Sequence, residues 1–147
     1  MITLERHLRG AASTERLGAE IALLVKPPLI LKLEGDLGAG KTTFVRGFVR
    51  ALPGGRDVTV QSPTFALART YPTTPPVHHL DLYRLRHPSE LSELGLLELI
   101  EDSQAFSLVE WPALLEPQGL LVGTLTLEGE NASRRARVTL PTPSANT

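Results

Sequence analysis

The strongest constraint in this chain is an octapeptide, Gly35-Asp36-Leu37-Gly38-Ala39-Gly40-Lys41-Thr42, set between two segments of opposite character. Before it, residues 29–33 are apolar at every position but Lys32, the pattern of a buried strand. After it, Phe44, Val45, Phe48, Val49 and Leu52 recur at helical spacing with Arg46 and Arg50 on the opposite face, and Pro53-Gly54-Gly55 ends the run. The octapeptide satisfies G-x-x-x-x-G-K-[ST] at every fixed position. Its glycines permit backbone angles closed to other residues, so successive N–H groups can turn inward around an anion. The N-terminus of the following helix adds about half a positive charge aimed at the same point. In this chemistry Lys41 reaches the β- and γ-phosphates of a nucleotide and the Thr42 hydroxyl ligates Mg2+. Strand, loop and helix in this order point to nucleotide binding rather than to a glycine-rich turn with an accidental lysine.

The rest of the chain supplies the fold around that loop. Ser13-Thr14 precedes Leu17, Ile21, Leu24 and Val25 on one face, which predicts a capped amphipathic helix. Strands are predicted at about residues 65–71 and 77–83, flanking the turn 72–76, and at residues 105–109. Pro88-Ser89-Glu90 starts a helix carrying Leu91, Leu94, Leu97 or Glu98, and Ile100. Alternating residues 120–127 and 135–140, joined by 128–134, predict a closing hairpin. The expected fold is α/β: a three-layer P-loop NTPase arrangement with a mixed central sheet and a C-terminal β-hairpin. A length of 147 residues suits one domain, residues 1–140, followed by a small polar tail, 141–147, expected to be frayed.

Composition narrows the partners. Fifteen Lys and Arg against sixteen Asp and Glu leave a net charge of −1, so no DNA partner is expected and any nucleic-acid role is local or indirect. No apolar run reaches the ~20 residues that span a bilayer, and the start carries no signal-peptide block. No cysteine is present, which removes disulfides and thiolate metal sites and points to a cytoplasmic address.

Two acids stand at or in apolar strands. Asp81 lies in His79-Leu80-Asp81-Leu82-Tyr83-Arg84, and Glu110 ends Phe106-Ser107-Leu108-Val109-Glu110, at the carboxyl edge where open α/β sheets bind ligands. Mg2+ takes only one or two protein carboxylates, so both can be accommodated. The plainer alternatives are a solvated edge position for Asp81 and a strand-end cap or salt bridge for Glu110. Ser62-Pro63-Thr64-Phe65 falls where P-loop proteins often sense the γ-phosphate, which makes Thr64 a candidate for metal or water contact, although turn chemistry explains it equally. Trp111, the sole tryptophan, reads as partly buried core rather than a stacking platform. His78 and His79 are adjacent in a strand and face opposite sides, which argues against zinc. Arg134, Arg135 and Arg137 read as solvated hairpin charges, with one able to reach a phosphate.

Taken with the loop, Ser62-Pro63-Thr64-Phe65, His79-Leu80-Asp81-Leu82-Tyr83-Arg84-Leu85 and Val109-Glu110-Trp111-Pro112 make the chain resemble the TsaE (YjeE) family from about Ser13 to Val138. These are small bacterial P-loop ATPases of the machinery that makes threonylcarbamoyladenosine at position 37 of tRNAs reading ANN codons. The resemblance implies phosphate and metal contacts from Gly38, Ala39, Gly40, Lys41, Thr42 and Thr43, magnesium coordination by Glu110, and assistance to hydrolysis by Asp81. It also implies an adenine side formed near Thr14 and a nucleotide contact from Arg134. ATP and Mg2+ are the implied cofactors, and TsaD with TsaB the implied partners, the ATPase resetting that transferase and meeting tRNA only indirectly. The chain departs from the family pattern in its proline- and threonine-rich segment 69–77 and in the loop after Trp111.

Three other readings remain open on the residues alone. A small-molecule kinase would need a lid and an acceptor pocket, for which little chain is left. A GTPase would normally carry N-K-x-D, which is absent. A nucleotide-gated binding module without significant hydrolysis looks the same on paper.

Overall fold

The apolar run before the loop is the centre of a seven-stranded sheet. In the computed structural model, which describes residues 1–36, 38–115, 122–130 and 133–141, the elements run β1 (Ile2–Arg9), α1 (Gly10–Leu24), β2 (Leu29–Glu34), α2 (Lys41–Ala51), β3 (Ala68–Tyr71), β4 (Val77–Asp81), α3 (Ser89–Glu93), α4 (Leu96–Ile100), β5 (Phe106–Glu110), a 3-10 turn (Pro112–Leu114), β6 (Val122–Glu130) and β7 (Ser133–Leu140). Strand order is β1-β7-β6-β2-β5-β4-β3. The inner strands β6, β2, β5 and β4 are parallel, while β7, β1 and β3 join antiparallel at the two flanks. The sheet is mixed, and β6 with β7 forms the closing hairpin. Leu37 of the loop, residues 120 and 121 of the hairpin's expected start, residues 131–132 of its turn and residues 142–147 of the expected tail lie outside the described residues. No helix among the described residues is long and apolar enough to cross a membrane.

Alternation along β2 divides the core between the two faces of the sheet. Leu29, Leu31 and Leu33 meet α1, α2, Phe106 and Leu108 on one side. Ile30 joins Leu80, Leu82 and Val109 against Leu91, Leu96, Ile100 and Leu115 on the other. Burial on both faces is what a parallel strand bounded by crossover helices requires. Helices α1 and α2 cross closely because glycines meet at the contact: a Cβ on Gly47 would run into the Glu15 carbonyl, and one on Gly18 into the Phe44 carbonyl. Arg46 and Glu15 pair at 3.4 Å beside the crossing.

Several expectations need correction. Strand β1 was not foreseen, and α1 begins at Gly10 rather than after Ser13-Thr14. The Ser13 hydroxyl still serves the helix start, accepting from the Arg9 N–H at 2.8 Å while donating to the Gly10 carbonyl. Leu24, expected inward, is exposed at the helix end, and Ala22 takes the buried position. The segment after Pro88 is two short helices. Gly95 at φ +74 breaks the run and resets its phase, so Leu96 and Ile100 point inward while Leu94 turns out. The strand expected from residue 65 begins at Ala68, leaving Phe65 exposed.

Candidate nucleotide-binding site

All the singled-out loop and acid residues sit at one edge of the sheet because three parallel strands end there together. The β2 strand runs into the loop, and in the register of the inner strands Leu33, Glu110 and Asp81 are neighbours. Gly38 and Gly40 adopt φ +77 and +105, and the Ala39 N–H closes a turn onto the Asp36 carbonyl at 3.0 Å. Gly40 precedes α2, whose first backbone bond runs from the Phe44 N–H to the Gly40 carbonyl. The loop opens on a cleft of about 380 Å³ lined by Gly38 through Thr43 and, across from them, Ser62, Thr64, Asp81, Glu110, Tyr83 and Trp111.

Lys41 is folded over this loop. Its ammonium donates to the Gly35 carbonyl at 2.6 Å and lies 3.6 Å from the centre of the Trp111 ring. Burial pulls its pKa below the ordinary lysine value, opposed by the negative charges of Glu110, Asp81 and Asp36. Trp111 is therefore a wall of the cleft rather than core, which corrects the sequence reading. A left-handed turn at Trp111, φ +54, carries the indole out of the strand's alternation and beside Tyr83, at 5.0 Å between ring centres.

Glu110 is 3% exposed. Its Oε2 accepts from the Thr42 hydroxyl at 3.3 Å and from His79 Nε2 at 2.5 Å. On the far side of the ring, His79 Nδ1 lies 3.1 Å from the Tyr71 hydroxyl, which also reaches the Gln61 carbonyl at 3.3 Å. Burial raises the Tyr71 phenol above its ordinary value and keeps it protonated. His78 turns the other way, to Thr70 and Asp102, both at 2.8 Å.

Asp81 is 2% exposed on an inner strand, so the solvated-edge alternative falls. Both its oxygens are engaged. Oδ2 accepts from Thr64 at 2.7 Å and from Ser62 at 3.3 Å, and Oδ1 accepts from the Tyr83 N–H at 2.9 Å. Thr64 thus contacts the acid directly. On the other side of the loop a smaller cleft of about 150 Å³ gathers Thr14, Thr43 and Arg134 against Gly38–Gly40, with Leu8 of β1 at its back. Of the remaining arginines, Arg137 lies 3.9 Å from Glu5 at the exposed surface.

A family sequence model described as "Threonylcarbamoyl adenosine biosynthesis protein TsaE" matches residues 8–138. The chain belongs to the TsaE family. The tRNA threonylcarbamoyladenosine biosynthesis protein TsaE of Rickettsia bellii is 36% identical over 117 residues, covering 79% of each chain. The protein of the same name from Bacillus subtilis is 43% identical over 106 residues, 71% of this chain and 64% of its own length. A crystal structure of Bacillus subtilis YdiB matches with a TM-score of 0.70 at 31% identity, covering 95% of this chain and 86% of that one. Loop geometry and family together make this a P-loop NTPase-type protein.

The donors in this TsaE-family site suit a hard cation. Thr42 and Glu110 offer adjacent oxygens at the loop mouth, and no group of three or more His, Cys, Asp or Glu among the described residues is arranged to hold a metal. A cation that keeps its waters and takes one or two protein oxygens fits this set; a zinc cage does not. Sequence reasoning missed His79, Tyr71 and Tyr83 as site residues. The signal was present for His79, because a residue two positions before Asp81 in a strand shares its face.

Proposed function

We propose that this chain is a Mg2+-dependent ATPase of tRNA threonylcarbamoyladenosine biosynthesis, which docks on the TsaB–TsaD transferase and resets it by ATP binding and hydrolysis. Residues 1–140 act as one three-layer P-loop domain in the cytoplasm. The observation that carries this reading is the convergence, across one cleft, of the glycine loop, Lys41, Thr42 and two buried acids from neighbouring strands. Backbone N–H groups of Gly38 and Gly40 cradle the phosphates, while Ala39 N–H and Lys41 exchange their Asp36 and Gly35 carbonyls for phosphate oxygens. Bound Mg2+ would neutralise charge on the β- and γ-phosphates, with Thr42 and Glu110 as its protein donors. Asp81 orients the attacking water and takes its proton. Thr43 meets the phosphates beside Thr42, and Thr14 and Arg134 hold the sugar and base side through the smaller cleft.

Asp81 also gives a reason for dependence on partners. Ser62, Thr64 and the Tyr83 N–H take three of its roughly four acceptor sites and lower its basicity toward a water proton. Docking that moves segment 62–64 would free it. The same engagement of Asp81 favours a second reading, a nucleotide-gated binding module without significant hydrolysis. ATP turnover measured with Mg2+, with and without TsaB and TsaD, tests both. Stimulation only in the assembled complex supports the switch. ATP binding without turnover in any assembly supports the binding module, and phosphate transfer to a metabolite without partner stimulation supports a kinase.

A further inference from the structure

We propose that His79 and Tyr71 are positioning residues for Glu110, a buried hydrogen-bond line that aims its carboxylate at the loop and so sets how tightly a divalent cation is held with the nucleotide. The inference rests on the reading of Glu110 as a cation-holding acid.

An ionised carboxylate only accepts hydrogen bonds, so the 2.5 Å contact requires the proton on His79 Nε2. On the ring's other edge Nδ1 lies 3.1 Å from the Tyr71 hydroxyl, which itself donates to the Gln61 carbonyl at 3.3 Å, so Tyr71 braces the ring from behind. His79 is fully buried, and among the described residues no buried side-chain N or O lacks a partner. The line crosses three adjacent strands: Tyr71 on β3, His79 on β4 and Glu110 on β5. It therefore ties a side chain at the sheet's end to the sheet itself. Thr42 meets the same Oε2 from the loop side, so the atom that His79 restrains is the one turned to the loop.

His78 supplies the contrast. It lies on the same strand and is similarly buried, yet it joins Thr70 to Asp102 and touches neither acid of the cleft. A histidine that serves only to hold the sheet together would behave like His78. Hydrogen-bond partners of metal-binding carboxylates, when removed, typically weaken metal affinity by about 10–100-fold.

The test is calorimetric. A non-hydrolysable ATP analogue is titrated into the full-length protein in EDTA, and Mg2+ is then titrated at saturating analogue, with melting temperature recorded for each variant. His79→Phe should leave metal-free analogue affinity unchanged and weaken Mg2+ by about 10–100-fold. Tyr71→Phe should move Mg2+ affinity in the same direction by less, since it frees only the far edge of the ring. His79→Gln, which keeps a donor, should recover part of the loss. His78→Phe should lower the melting temperature without moving Mg2+ affinity. A folded His79→Phe with wild-type Mg2+ affinity overturns the proposal, as does an equal shift in His78→Phe. If His79→Phe does not fold, Tyr71→Phe and His79→Gln decide it, wild-type Mg2+ affinity in both being the refuting result. Wild-type protein whose analogue binding ignores Mg2+ would remove the cation role of Glu110 itself, and that failure is visible before any variant is made.

Discussion

Gly47→Ala sets two effects of opposite sign against each other. In an exposed helix, replacing glycine by alanine stabilises by about 1 kcal/mol through backbone entropy. Here the new methyl would sit on the Glu15 carbonyl of α1, far inside contact distance, and the obstacle is backbone that cannot swing aside. Restoring a ~3.5 Å contact requires the helices to part by roughly 1.5 Å. Overpacking of this kind costs about 1–3 kcal/mol, and a backbone-on-backbone clash belongs at the upper end. The net expectation is a loss of about 1–2 kcal/mol, or a fall in melting temperature of ~2–8 °C for a chain of this size. Gly18→Ala should act likewise through the Phe44 carbonyl. The double variant should lose less than the sum of the two, because one separation relieves both clashes. Urea denaturation followed by far-UV circular dichroism reads the midpoint, with an unchanged slope confirming that only stability moved. A midpoint at or above wild type for Gly47→Ala would mean that propensity governs and that α1 and α2 do not cross as closely as described. Parting the helices would also draw Thr14 away from Gly40, where a Cβ would now lie 3.5 Å from the threonine methyl, so a weaker nucleotide affinity should accompany the stability loss.

Lys41→Met should weaken nucleotide binding by about 10–100-fold, the worth of a charged hydrogen bond, as read by calorimetry. In the empty protein the same variant should flatten the alkaline limb of stability. The lysine's folded pKa lies below its ordinary 10.5, so the unfolded chain binds more protons in that window and wild-type stability climbs with pH there. Asp81→Asn, assayed with TsaB and TsaD present, should lower turnover by ~10²–10⁴ while ATP affinity changes little. Asp102 is held below its ordinary 3.8, chiefly by its hydrogen bond from His78, so its contribution is present above that value and lost as pH falls through the folded one. Asp102→Asn should accordingly flatten the acid limb of the urea midpoint below about pH 4, and an unaltered limb would remove that pair from the account.

How much of this was legible in the sequence follows from what each feature depends on. The loop and its flanking strand and helix are written in consecutive residues, and β2 and α2 form where the apolar pattern put them. Strand β1 has no such pattern: only Leu8 is buried along its length, and the strand exists because Ile2 through Arg9 pair with β7 from the far end of the chain. Trp111 misled for a different reason. Its place after a buried strand suggested core, and a single left-handed residue turned the ring onto Lys41. The deepest omission was the link between His79 and Glu110. Taken alone, His79 reads as a residue unsuited to zinc and Glu110 as an acid at a strand edge. They are 31 positions apart and meet only because β4 and β5 pair in parallel with Asp81 opposite Glu110. Two buried acids at one sheet edge are costly unless each finds donors. Thr64 and Ser62 answer that need for Asp81, and His79 and Thr42 for Glu110, every one from a different segment than the acid it serves. Strand register is therefore the missing variable for the His79–Glu110 link, whereas Thr42, Ser62 and Thr64 come from outside the strands and depend on how α2 and the 62–64 segment meet the sheet's end.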